Sequence, residues 1–122
     1  MNTTYAVAHL RTPTLNADVV EYLERIQATM DPFGGRFAVH NPKLEVKEGS
    51  WEGSLVILTF PSIEAARGWY DSAAYQEILH LRTDHITGDT VLVEGVAPDY
   101  DVHHTAEVFR EALASADREE AP

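Results

Sequence analysis

The chain has 122 residues, 44% hydrophobic and 24% charged, a composition ordinary for a single globular domain with one core. It contains no cysteine, which excludes disulfides and thiolate metal sites and fits a reducing cytoplasm. A formal net charge of -11 sets the surface against nucleic acid and anionic membranes; no apolar run approaches the roughly 20 residues of a membrane span, and Met1-Asn2-Thr3-Thr4 opens no signal peptide.

Tyr5 to Leu10 reads as a strand, with Tyr5, Val7 and His9 on one face and Ala6, Ala8 and Leu10 on the other. Pro13 closes it. Asn16 is placed to cap a helix that carries Asp18 in its first turn, where the helix dipole favours a carboxylate. Val19, Leu23, Ile26 and Met30 follow at helical spacing and turn one stripe toward a core. Pro32 and Gly34-Gly35 stop that helix. Arg36 to His40 reads as a strand and Leu44 to Lys47 as a short strand or hairpin arm. Gly49 and Gly53 bracket a turn carrying Ser50, Trp51 and Glu52. Leu55 to Phe60 is a strand with almost no alternation, so both of its faces are expected to be buried. Ser62 caps a helix over Ile63 to Tyr70. Ser72 caps another from Ala73 to about Ile86, ended by Gly88. Thr90 to Glu94 is the last strand of the core. A polar connection from Val96 to His104 leads to an amphipathic helix capped by Thr105, with Val108, Phe109, Ala112, Leu113 and Ala116 on one side. Asp117 to Pro122 is expected to fray.

Strand, helix, strand, strand, helix, strand is the βαββαβ plan of an α+β, ferredoxin-like domain. Residues 1–96 form that domain, and residues 97–122 add the connection, the C-terminal helix and the tail. Helices can cover one face of such a sheet. The two-faced apolar strand therefore asks for a second cover, and a second copy of the sheet supplies it, which makes a homodimer. In this scheme Val7, Ile57, Leu58, Leu92 and Val93 are buried in the sheet. Leu23, Ile26, Trp69 and Leu79 pack from the helices, and the Phe109-Leu113 side of the last helix docks on this body or on the partner.

Arg82 is the sharpest candidate for chemistry. It shares a helix face with Tyr75, Leu79 and Ile86, about 20° from Tyr75 around the axis. A charge in an apolar stripe must be compensated. It is either an anchor for a carboxylate or enolate, or one half of a structural pair with an internal carboxylate such as Glu48. Glu48 is an acid/base if buried and a positioning group if it pairs with Arg82 or Arg36. His9 is the natural proton shuttle if its face lines a cavity. Trp69, Tyr70 and Tyr75 offer flat walls with polar tips, and Trp51 in its turn lids a pocket or packs on a partner. Arg36 reaches a pocket rim or solvent, and Ser72 reads first as a cap. The expected pocket lies between sheet and helices, lined by His9, Trp69, Tyr75 and Arg82, with Arg36, Glu48 and Trp51 at its rim or just behind its lining. His80 and His85 point apart on their helix, and no glycine-rich phosphate loop follows a strand. Neither a metal nor a nucleotide cofactor is indicated.

Several segments recur in one order. Gly34-Gly35-Arg36-Phe37 follows the first helix, and Glu48-Gly49-Ser50-Trp51 lies in the hairpin. Phe60-Pro61-Ser62, Ala65 to Ser72, Tyr75 and Leu81-Arg82 close the set. From Tyr5 to about Val96 the chain resembles the family known as domain of unknown function 1330, which is similar to the dimeric α/β-barrel proteins. The resemblance implies paired ferredoxin-like sheets with helices outside. Its wider superfamily includes cofactor-free monooxygenases, isomerases, haem enzymes and small-molecule sensors, so fold leaves function open. Two readings stand. One is a cofactor-independent enzyme, an isomerase, cyclase, lyase or monooxygenase-like protein. Its His9, Glu48, Tyr75 and Arg82 would act on a small anionic or carbonyl-rich metabolite, with Arg36, Trp51, Trp69, Tyr70 and Ser72 in binding roles. The other is a non-catalytic metabolite-binding or accessory dimer.

Overall fold

The computed structural model describes residues 2–120. In chain order it contains β1 (Thr4–Leu10), α1 (Ala17–Met30), a 3-10 turn (Asp31–Phe33), β2 (Arg36–His40) and β3 (Ser54–Phe60). These are followed by α2 (Ile63–Asp71), α3 (Ala73–Thr83), β4 (Gly88–Glu94) and α4 (Val102–Glu120). The strands form one sheet in the order β2-β3-β1-β4, with every neighbouring pair antiparallel. This is the ferredoxin-like arrangement that the sequence pattern predicts.

The helix starts are set by side chains. Asn16 Oδ1 accepts from the Val19 amide at 2.9 Å, and Ser62 Oγ from the Ala65 amide at 3.1 Å. Ser72 Oγ accepts from the Tyr75 amide at 3.2 Å and donates to the Trp69 carbonyl at 2.7 Å. Ser72 thus stops α2 and starts α3, which fixes Trp69 and Tyr75 on either side of one tight joint. Gly35 has no room for a side chain, since a Cβ there would sit 2.5 Å from Phe60 Cε1 and 2.9 Å from Met30 Cβ.

The core lies between the sheet and α1, α2 and α3. Ala6, Leu58 and Phe60 rise from the sheet to meet Tyr22, Ile26, Met30, Ala66, Trp69, Tyr75 and Ile78. Tyr22, rather than Leu23, takes the inward position on α1, and Leu23 is exposed. At 3.6 residues per turn Tyr22 and Leu23 are both near the stripe of Val19 and Ile26, and the ring at 22 fits the deeper place.

The opposite face of the sheet presents Tyr5, Val7, His9, Leu55, Ile57, Val91 and Val93, and among the described residues no helix covers it. Val7, Ile57 and Val93 therefore do not join the helix-side core, and Val93 is exposed. The two-faced apolar character of β3 is real, with Leu58 and Phe60 turned in and Leu55 and Ile57 turned out.

Several boundaries differ from the sequence reading. Leu44 to Lys47 forms no strand, and the chain from Asn41 to Gly53 is a long exposed connection. α3 ends at Thr83, and Gly88 opens β4 instead of ending a helix. α4 begins at Val102, three residues before Thr105, and continues to Glu120; of the tail expected to fray, Ala121 and Pro122 lie outside the described residues. The apolar side of α4 does not dock on the body: Phe109 and Leu113 are 65% and 63% exposed.

One irregularity bears on the site. Phe37 pairs with Leu58, yet Val39 pairs with Ile57, so Ala38 is an extra residue in β2. Such a bulge shifts the alternation by one. Phe37 and His40 consequently share the helix-facing side, while Arg36 and Val39 face the other way.

Candidate functional site

A cavity of about 400 Å³ opens between the sheet and the helices. That volume falls in the roughly 300–1,000 Å³ range of small-molecule sites. Its sheet wall comes in rows set by the strand register. Phe37, Leu58 and Ala6 form one row, and His40, Val56, Ala8 and Thr90 the next. Val19, Tyr22 and Ile26 of α1 and Trp69, Tyr75 and Arg82 of α2 and α3 form the opposite wall. The loop after β1 brings Pro13, Thr14 and Leu15 to the mouth, where Leu15 is 85% exposed.

The polar groups in this apolar space are few and held in place. Tyr22 and Tyr75 hydroxyls are 2.8 Å apart. Trp69, 2% exposed, donates from Nε1 to Thr29 Oγ1 at 3.0 Å, and Thr29 donates in turn to the Ile26 carbonyl at 2.6 Å. The Trp69 ring packs on that of Tyr75 in a tilted arrangement, 4.1 Å between centroids and 40° between planes. Arg82 is 9% exposed, and its guanidinium carbon stands 5.6 Å over the Tyr22 ring.

Among the described residues no carboxylate forms an ion pair with Arg82, and none lines the cavity. Burial works to lower the pKa of Arg82, but Tyr22 and Tyr75 outweigh it and raise the value above that of an ordinary arginine. The guanidinium is therefore a permanent cation whose structural neighbours are phenols. Burial first, and then Tyr22, push the Tyr75 pKa far above the usual tyrosine value, against the opposing pull of Arg82. Tyr75 is a neutral hydroxyl at any physiological pH. It can donate a hydrogen bond, and it is no phenolate base.

Of the residues singled out from the sequence, Trp69, Tyr75 and Arg82 come together in the cavity. Tyr70 packs beside them, its ring 5.5 Å from that of Tyr75. Ser72 is the helix cap described above. His9 does not line the cavity. It lies on the outer face of β1, where its ring stacks on Trp51 at 4.2 Å and its Nε2 donates to the Glu52 carbonyl at 2.6 Å. The reason is the pleat itself, since Ala6, Ala8 and Leu10 take the inward side. Trp51 goes with His9, 43% exposed, and is no lid on this cavity. Glu48 is exposed on the long connection and forms an ion pair with neither Arg82 nor Arg36 among the described residues, because no strand carries it inward. Arg36 is exposed on the outer side.

Tyr22 and His40 line the cavity without having been singled out as site residues. Tyr22 was legible as the residue three after Val19 and four before Ile26. His40 reaches the cavity only through the Ala38 bulge, for which the sequence carries no local signal. Among the described residues no group of three His, Cys, Asp or Glu side chains is placed to hold a metal ion, and no helix is long and apolar enough to cross a membrane.

Fold and cavity together define an α+β ferredoxin-like domain with an internal small-molecule-sized pocket. The chain belongs to the family described as Domain of unknown function (DUF1330), whose model matches residues 3–96 and stops short of α4. No curated protein matches the chain. Similar solved structures include RPA0582, a protein of unknown function from Rhodopseudomonas palustris, at 13% identity and TM-score 0.56, covering 80% of this chain and 85% of that one. SnoaB from Streptomyces nogalater, a cofactor-independent oxygenase, is similar at 14% identity and TM-score 0.54, covering 83% of this chain and 100% of that one. A dimeric ferredoxin-like protein of unknown function from Thermobifida fusca has 17% identity and TM-score 0.50, covering 79% of this chain and 92% of that one. At such identities the likeness establishes the fold alone.

Proposed function

We propose that this protein is a cofactor-independent enzyme whose cavity takes a small monoanionic or carbonyl-rich organic molecule. The observation that carries this reading is Arg82, a buried cation at the wall of an apolar cavity, with no carboxylate among the described residues to neutralise it. Its neighbours Tyr22 and Tyr75 offset the burial but are neutral phenols, so the charge itself is left for an anion or a polarised oxygen to meet. A guanidinium gives two parallel hydrogen bonds to a carboxylate. Tyr22 and Tyr75 add neutral donors beside it, and the rest of the wall suits a hydrocarbon or aromatic body. The net charge of -11 disfavours polyanions. SnoaB, similar in fold, is an oxygenase that works without a cofactor, which lends this reading support. Proton transfer, isomerisation or cyclisation fits the groups present.

The second reading, a metabolite-binding or accessory protein without turnover, is favoured by the outward position of His9, which removes the expected proton shuttle from the cavity. Both readings include a homodimer. The apolar outer face, with Tyr5, Val91 and Val93 exposed, supports it, as does the dimeric neighbour from Thermobifida fusca. Sedimentation at micromolar concentration is expected to give twice the 13.6 kDa chain mass, and a clean monomer would remove the paired-sheet arrangement.

The test of the ligand class is a thermal-shift screen of aromatic and aliphatic monocarboxylates, 2-oxo acids and 1,3-dicarbonyl compounds. A ligand at 100 times its Kd stabilises the fold by about 2.7 kcal/mol. Stabilisation by members of these classes, lost in Arg82→Met, supports the reading. A screen in which only polyphosphates or cations stabilise the protein defeats it.

A further inference from the structure

Resting on the ligand class proposed above, we infer that His40 is the proton-transfer residue of the cavity, and that the reaction it serves is enolisation at the carbon next to a carbonyl. His40 is solvent-exposed at the end of β2 and reaches the cavity because Ala38 is an extra residue in that strand. Without that bulge, residues 37 and 40 would point to opposite sides of the sheet. The His40 ring lies 5.0 Å from that of Phe37, on the same wall. Arg82 and the Tyr22–Tyr75 pair line the same cavity from α3 and α1.

The titratable side chains lining the cavity are Tyr22, His40, Tyr75 and Arg82. Arg82 does not give up its proton, and Tyr75 is held neutral by burial. Tyr22 shares its hydroxyl contact with Tyr75. Imidazole is the side chain suited to both taking and returning a proton near neutrality. Proton chemistry in this cavity therefore runs through His40.

The step balances without an oxidant. A ring nitrogen of His40 takes the proton from the carbon beside the carbonyl. The C–H electron pair becomes the carbon–carbon double bond, and the carbonyl π pair moves onto oxygen. That oxygen meets the phenol donors and the guanidinium charge, which stabilise it as it becomes an enolate. The imidazolium then returns its proton, to oxygen to give the enol or to carbon to exchange or shift the hydrogen. The helix wall carries the anion-stabilising groups and the sheet wall the base, so the substrate carbon lies between them.

Phenylpyruvate is a fitting probe: it combines a carboxylate, a ketone with acidic neighbouring hydrogens and an aromatic body. In D2O its C3 hydrogens exchange slowly in buffer, and proton NMR follows their loss. Wild-type protein is expected to accelerate the exchange. His40→Gln is expected to lower it at least 100-fold, toward the buffer rate, while phenylpyruvate still binds by calorimetry. Tyr75→Phe is expected to lower the rate and keep binding. His80→Gln, on the exposed face of α3, is expected to exchange at the wild-type rate. Binding without accelerated exchange in the wild type, or exchange that survives His40→Gln, overturns this inference alone. Absence of phenylpyruvate binding overturns it too, and failure of every carboxylate and carbonyl compound to bind takes the ligand class with it.

Discussion

Arg82→Met separates an anchor from a structural cation. Methionine keeps much of the arginine stem and removes the guanidinium. Volume-conserving changes of this kind cost less than about 1.5 kcal/mol. The lost stack on Tyr22 is worth about 0.5–2 kcal/mol. Against this, the variant no longer desolvates a charge, and among the described residues no carboxylate is left behind without its partner. The opposing effects nearly cancel, so stability is expected to change by about 1 kcal/mol or less, near 4 °C in Tm for a domain of this size. Binding behaves differently. Losing the hydrogen bonds of a charged group costs about 3 kcal/mol, or roughly 150-fold in Kd. Urea denaturation and calorimetric titration with a carboxylate found in the thermal-shift screen measure the two quantities side by side. A variant that loses several kcal/mol of stability and binds with unchanged affinity once folded would refute the anchor and make Arg82 a purely structural residue.

The Tyr75 hydroxyl links stability to alkaline pH. Its folded pKa is raised above the ordinary tyrosine value of 10.0, so the unfolded chain releases this proton first. Stability from this group is fully present below about pH 10 and falls as pH rises beyond it, by up to about 1.4 kcal/mol per pH unit. Tyr75→Phe is expected to flatten that fall in urea titrations, and an unchanged slope would contradict it. Gly35→Ala places a methyl against the Phe60 ring and Met30, both inside the core, and is expected to cost about 1–3 kcal/mol by chemical denaturation. A neutral result would mean that the α1–β2 corner yields freely. Removing everything after Val96 deletes α4 and is expected to lower the helical circular dichroism signal while leaving Tm unchanged, since Phe109 and Leu113 touch no core. A large fall in Tm would show that α4 holds the body together.

The fold was legible because its signals are local and agree with one another. Asn16, Ser62 and Ser72 mark the helix starts, and the hydrogen bonds of all three caps are present. The unbroken run of Leu55 to Phe60 announced a strand with two apolar faces. Half of the cavity was legible too. Arg82 and Tyr75 share a face by helical arithmetic, and the Ser72 joint places Trp69 beside them. What stayed hidden depends on relations between distant segments. Which side of β1 meets the helices turns on packing, and the small Ala6 and Ala8 go inward where they leave room for a cavity, sending His9 outward. The Ala38 bulge exists only as a mismatch between β2 and β3, so nothing in Arg36 to His40 by itself turns His40 inward. Glu48 lies in a connection with no periodic pattern to place it, and Leu44 to Lys47 alternates like a strand yet finds no neighbour to pair with.

Trp69 offers the most direct test of the central claim, that the cavity walled by Arg82 receives a small anionic or carbonyl-rich molecule. The chain has two tryptophans, and Trp51 lies on the outer face, so Trp51→Phe leaves Trp69 as the single reporter inside the cavity. Titration of that variant with phenylpyruvate and related monocarboxylates is expected to change the Trp69 fluorescence saturably with one site per chain. Adding Arg82→Met is expected to abolish the change. A Trp69 signal that stays flat to millimolar concentrations across these compounds, or that saturates equally well without Arg82, would contradict the account.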